Sequence, residues 1–147
     1  MPADPKVLAD LQHIMETTPY TAANRICLIE ADPDRTVLSM EIVPDQMNPY
    51  NVLHGGAIYG LADTAAGFTA AANGARVVTQ NGSFHFFGNV SEGMVYAEGT
   101  PVHRGRIVSV IHVDVRSQSG KLLGEGTFDM YSVDRPFASA ENAEHSR

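Results

Sequence analysis

The chain opens on an amphipathic stripe. Val7, Leu8, Leu11, Ile14 and Met15 fall at offsets of 0, 1, 4, 7 and 8, one face of a helix that Asp4 can cap. Proline disfavours a helical residue before it, so Thr17-Thr18-Pro19 ends this helix. Two β-like runs follow, 24–31 and 36–43. Asp32-Pro33-Asp34-Arg35 between them reads as a turn and predicts a hairpin. After a loop over 44–53 that carries two prolines, the pattern turns helical from about residue 55 to 73, where Asn73-Gly74 stops it. Four more β-like runs complete the chain, at 76–87, 93–104, 106–117 and 121–133. Arg104-Gly105-Arg106 and Gln118-Ser119-Gly120 stand where hairpin turns would fall. Ile107, Ile111, Val113 and Val115 take one face of the third run, with His112, Asp114 and Arg116 on the other, as in a half-buried strand.

The predicted order is α-β-β-α-β-β-β-β. Most connections are too short for parallel crossovers, so the sheet is expected to be largely antiparallel, with one long helix packed across it in an α+β fold. Residues 1–133 read as a single domain whose short N-terminal helix lies within 1–17. Residues 134–147 are mostly small or polar and are expected to fray as a tail.

The helix at 55–73 is the informative segment. Between Asp45 and Arg76 lie thirty residues with one formally charged side chain, Asp63. On a wheel of about 3.6 residues per turn, Ile58, Leu61, Ala65, Phe68 and Ala72 share one side. Gly56, Gly60, Gly67 and Ala71 share the other, and Asp63 lies within that second stripe. A helix with no polar face is a buried helix. The bulky stripe should fill the concave face of the sheet, and the small one lets a second backbone or a ligand come close. Three readings of Asp63 stay open: an exposed helix residue, a buried structural carboxylate, or a working acid or base. An unpaired buried carboxylate costs several kcal/mol or takes up a proton, and the glycine-lined setting favours the third reading.

His54-Gly55-Gly56 opens this helix. The first N–H groups of a helix have no partner within it, and the macrodipole adds positive potential there. Two glycines leave those donors unshielded, a setting that suits an oxyanion or a polarised carbonyl oxygen. The tripeptide also fits a loop that merely needs unusual dihedrals. Gly55 and Asp63 are separated by about 12 Å along the axis, at roughly 1.5 Å per residue. A carbonyl held at the Gly55 N–H therefore cannot meet a water held by Asp63 of the same chain. If both act on one substrate, the site is shared between the subunits of a homodimer.

Composition narrows the classes of function. The chain has 147 residues, 44% hydrophobic and 18% charged, which suits one packed domain and argues against disorder. A formal net charge of −7 repels phosphate backbones, so no nucleic-acid partner is expected. A single cysteine, Cys27, leaves no intramolecular disulfide and no thiolate cage. No stretch approaches the roughly 18 apolar residues of a spanning helix, and Met1-Pro2-Ala3-Asp4 lacks the regions of a secretory signal. A cytoplasmic protein without a membrane partner is the expectation. The histidines, His13, His54, His85, His103, His112 and His145, show no His-x-x-x-His pair and no carboxylate at metal-ligand spacing, so no metal is expected. Ser83 and His85 share a strand face, but no Gly-x-Ser-x-Gly elbow accompanies them. Phe84, Phe86 and Phe87 read as core or acyl-pocket lining.

Asn48, six residues before His54-Gly55-Gly56, and then Leu61-Ala62-Asp63-Thr64-Ala65 resemble the signature of a known family. It is that of the hotdog-fold acyl-CoA thioesterases of the phenylacetate-pathway (PaaI-like) type. Thr79 and Phe86-Phe87 match more loosely, and the resemblance spans about residues 24–133. It implies a long central helix wrapped by an antiparallel sheet, paired two-fold and commonly as a dimer of dimers. It also implies hydrolysis of coenzyme A thioesters, with CoA entering as part of the substrate and no separate cofactor. Under the resemblance, Asp63 would be the general base or nucleophile, and the Gly55 N–H would bind the thioester oxygen. His54 and Asn48 would orient the thioester and its water, and Thr79 would support the acid from the partner strand. Gly56, Thr64, Tyr59 and Phe68 would line the substrate, with Tyr50 and Val52 shaping the pocket. Gly88-Asn89 departs from the basic residue and proline that relatives often show, and Gly67 from the polar residue of one branch. Arg104 and Arg106, flanking a hairpin glycine, are candidates for the CoA phosphates, with Arg76 and Lys121 as outsiders.

The leading expectation is an acyl-CoA thioester hydrolase acting on aryl or medium-chain acyl groups. The alternatives are a hotdog hydratase or dehydratase of acyl thioesters and a non-catalytic acyl-CoA binding module.

Overall fold

The structure is a computed structural model that describes residues 3–133; the tail expected at 134–147 lies outside the described residues. Asp4 caps α1 (Pro5–Thr17), its Oδ1 accepting from the Lys6 N–H at 2.9 Å. Pro19 ends α1 but also begins a second helix, α2 (Pro19–Ala23), where the sequence pattern predicts none. The fixed φ of proline that stops one helix suits the first position of the next, and five residues are too short to show a period. The Thr21 hydroxyl donates to the Met15 carbonyl at 2.6 Å and folds α2 back on α1.

β1 (Ile26–Asp32) and β2 (Arg35–Glu41) form the expected hairpin. Asp32 Oδ1 closes its turn by accepting from the N–H groups of Asp34 and Arg35 at 2.7 and 2.9 Å. A 3-10 turn at Pro44–Gln46 then leads to α3 (Gly55–Ala71). The remaining strands are β3 (Val77–Phe86), β4 (Met94–Arg104), β5 (Val108–Ser117) and β6 (Leu122–Ser132). The third run expected from the pattern starts two residues late: Ile107 lies outside β5, half of it exposed. All pairings are antiparallel, in the order β1-β2-β4-β5-β6-β3.

The sheet wraps α3 as the resemblance implies. Ile58, Leu61, Ala65, Phe68 and Ala72 are all buried, within one cluster that includes Leu38, Val95, Ile111, Val113 and Phe128. The small-residue stripe is only partly open. Tyr20 of α2 lies over Gly60, where a Cβ would collide with its hydroxyl, whereas nothing lies within 4 Å of the same position at Gly67. No described helix is long and apolar enough to cross a membrane. β3 closes one end of the sheet, and its outer edge has no strand partner among the described residues.

Candidate active site

Three contacts, each about one helical turn from the next, tie α3 to that edge strand. A Cβ on Gly55 would rest 3.6 Å from the Phe86 ring. One on Gly82 would collide with the hydroxyl of Tyr59, so the glycine is what lets the tyrosine lie across β3. The third contact is the hydrogen bond from Thr79 Oγ1 to Asp63 Oδ1, at 2.6 Å. Residue numbers rise along the helix as they fall along the strand, so α3 and β3 run in opposite directions. Gly55 lies at one end of this ladder and Asp63 near the other.

Asp63 is half-buried. Thr79 holds Oδ1, while Oδ2 has no hydrogen-bond partner among the described residues. The carboxylate opens on a mostly apolar cavity of about 280 Å³ that Thr64, Phe68, Val78 and Met130 also line. Leu11 and Ile14 of α1 form part of its wall. The sequence pattern left these two without a role, although their apolar stripe had to cover something. Thr79 thus supports the acid from β3 of the same chain, the role that the resemblance implies for it.

The start of α3 faces a separate hollow of about 310 Å³, shared by Asn48, Val52, Gly55, Phe86 and Gly88. Ala57 and Ile58 donate to the His54 carbonyl at 2.9 and 3.2 Å, and Gly56 donates to His54 Nδ1 at 2.7 Å. The Gly55 N–H alone in this turn has no acceptor among the described residues. Asn48 Oδ1 accepts from the N–H groups of Tyr50 and Val52, at 2.9 and 3.2 Å. Its amide nitrogen makes no hydrogen bond with a described residue. An unsatisfied backbone donor and a side-chain amide thus flank one hollow, a pairing that can hold a carbonyl oxygen.

Other expected site residues are placed elsewhere. His54 turns back as the helix cap, and with Gly56 it lines a different hollow beside Tyr20 and Asp45. Its Nδ1 must be unprotonated to accept from Gly56, which puts the proton of the neutral ring on Nε2. The Thr64 hydroxyl is spent on the Gly60 carbonyl at 2.7 Å. Tyr59 packs edge-on against Phe84 and Phe128, and Tyr50 is 85% exposed. Arg104 is not a free hairpin-tip cation. Its guanidinium donates to the carbonyls of Thr69 (2.8 Å) and Ala70 (3.2 Å) at the end of α3, and to that of Pro33. Burial draws it below the usual guanidinium range, opposed by the carboxylate of Asp34. Arg106 is exposed and lines a depression with Arg76 beyond the end of α3.

One histidine departs from the expectation of no carboxylate at metal-ligand spacing. His112 Nε2 lies 2.9 Å from Asp114 Oδ1 and 4.0 Å from Glu125 Oε2, so a histidine does stand beside carboxylates at ligand-like spacing. Alternation on β5 puts two of them on one face, and the β5–β6 register sets Glu125 opposite Asp114. Sequence spacing alone does not reveal that register.

Residues 50–123 match the family model described as the thioesterase superfamily. ComA2, a candidate esterase of Bacillus subtilis, is 32% identical over 101 residues, covering 65% of this chain and 79% of that protein. The PaaI protein of E. coli, from the phenylacetic acid degradation operon, shares the fold with a TM-score of 0.82 at 20% identity, covering 87% of this chain and 94% of that one. A Streptococcus mutans protein solved with acetyl-CoA bound is 26% identical with a TM-score of 0.70, covering 74% of this chain and 88% of that one.

Proposed function

This chain belongs to the thioesterase superfamily and has its hotdog fold, and from that premise we propose that it hydrolyses acyl-CoA thioesters at two sites of a homodimer. Each site takes Asp63 from one protomer and the Gly55 N–H from the other. One observation carries this reading: Asp63 and the Gly55 donor open on separate hollows, toward opposite ends of an edge strand whose outer side has no partner among the described residues. Antiparallel two-fold pairing of β3 with a second copy of itself brings the Thr79 end of one strand beside the Phe86 end of the other. The hollow of Asp63 then meets the hollow of Gly55 across the junction. Val78, Phe86 and Phe87 are each half-exposed or more along this edge, and long open apolar edges are ordinarily covered in native proteins. The acetyl-CoA-bound relative supports a CoA ester as the substrate.

In this reading the thioester oxygen accepts from the Gly55 N–H, with the Asn48 amide beside it. Asp63, fixed through Oδ1, presents Oδ2 to a water. That water gives its proton to Oδ2 as its oxygen bonds to the carbonyl carbon. The C–S bond then breaks, and CoA leaves as a thiolate that takes up a proton. The apolar cavity beside Asp63 receives the acyl group.

A thiol-release assay over aryl- and medium-chain acyl-CoA esters tests the proposal. Free CoA is expected, with Asp63→Asn lowering kcat by at least about a hundredfold while the fold is retained. Binding without release would favour the binding module, and hydration of an enoyl ester would favour the hydratase. Near-native turnover by Asp63→Asn would remove this carboxylate from the mechanism. A single turnover in labelled water separates direct attack by water, which labels the acid, from attack by Asp63 with hydrolysis of the anhydride at the Asp63 carboxyl carbon, which leaves the acid unlabelled and labels Asp63.

A further inference from the structure

We propose that Lys121 is the cation that receives the phosphate-bearing end of the substrate; this rests on the acyl-CoA reading above. A net charge of −7 leaves few cations for a polyanionic ligand, and most of the described ones are engaged. Lys6, Arg25, Arg35 and Arg116 each have a carboxylate within 4.0 Å. Arg104 is held on three carbonyls, and Arg76 has an interaction of its own. Lys121 and Arg106 remain, and they stand at different places.

Lys121 lies at the exit of the hollow that holds the Gly55 donor. A Cβ on Gly88 would come within 2.9 Å of Lys121 Cε and 3.2 Å of its Nζ, so the absent side chain is the space the lysine occupies. Gly88 and Asn89 both line the hollow at Gly55, and Asn89 also lines a depression of about 700 Å³ that contains Lys121. A thioester seated at Gly55 therefore leads its tail past Asn89 to an exposed ammonium. The hydroxyls of Ser117 and Ser119 line the same depression, and Glu92 is the carboxylate among its lining residues. Arg106 instead lines a depression with Gly74 and Ala75, past the C-terminal end of α3.

Equilibrium binding of free CoA, measured by calorimetry at low and raised salt, tests this without relying on turnover. Lys121→Ala should weaken CoA by roughly tenfold and flatten the salt dependence, and Lys121→Arg should restore most of both. Lys6→Ala, which removes an equal charge from α1, should change neither. The proposal is overturned if Lys121→Ala binds CoA as tightly as the wild type, or weakens it with an unchanged salt dependence. Loss of affinity in Arg106→Ala alone, or no binding of CoA by the wild type, overturns it as well. If CoA binding behaves as expected but no acyl-CoA is cleaved, Lys121 keeps its role and the hydrolytic reading falls.

Discussion

The two oxygens of Asp63 have unequal surroundings, since one accepts from Thr79 and the other has no hydrogen-bond partner among the described residues. A carboxylate held this way keeps its free oxygen aimed without a second tether. Thr79→Val should therefore lower kcat by about tenfold with little change in KM, the size of one hydrogen bond to a charged group. Thr79→Ser, which keeps the hydroxyl, should stay close to the wild type. Steady-state kinetics on one acyl-CoA ester checks both. The acid itself was legible in the chain as the lone charge in a long uncharged stretch. Its tether was legible only through the family resemblance, which singles out Thr79; the two residues lie sixteen apart, and the packing of α3 on β3 brings them together.

At the scale of elements, α3 is fixed at both ends by different means. His54 caps its first turn from the position directly before it, whereas Arg104 reaches its last carbonyls from β4 and also holds the Pro33 carbonyl in the β1–β2 turn. A cation at a helix C-terminus is favoured by the macrodipole as well as by its hydrogen bonds. Arg104→Ala strands these carbonyls in a half-buried place and should cost about 2 kcal/mol of folding stability. Urea denaturation measures the loss as a lower midpoint with an unchanged slope. The arginine stood out in the sequence beside a hairpin glycine, but the pattern there suggests solvent. Its engagement follows from how closely the end of α3 approaches β4, a contact between elements about 35 residues apart.

For the whole molecule, the decisive expectation concerns two chains. Gly55→Pro removes the unpaired donor at a first helical position, where proline is well tolerated, and His54 before it already has the extended ψ of 137 that proline requires. Gly55→Pro and Asp63→Asn should each be inactive alone. Mixed in equal amounts and allowed to exchange subunits, they should recover about a quarter of wild-type activity, since half the dimers then carry one intact site of two. Sites confined to single protomers would recover nothing.

Short-range order was legible along the chain because apolar spacing reports what the next few residues must do. The alternation of the strands, the buried glycine-rich helix, its single acid and its unshielded start all follow from contacts within a few residues. The likeness of Asn48, His54-Gly55-Gly56 and Asp63 to a family signature extended this to a fold. The packed chain assigned the rest: Leu11 and Ile14 to the cavity wall, Glu125 to His112, and Lys121 to the gap at Gly88. Each of these depends on strand register or on the approach of distant elements, which local propensity does not encode.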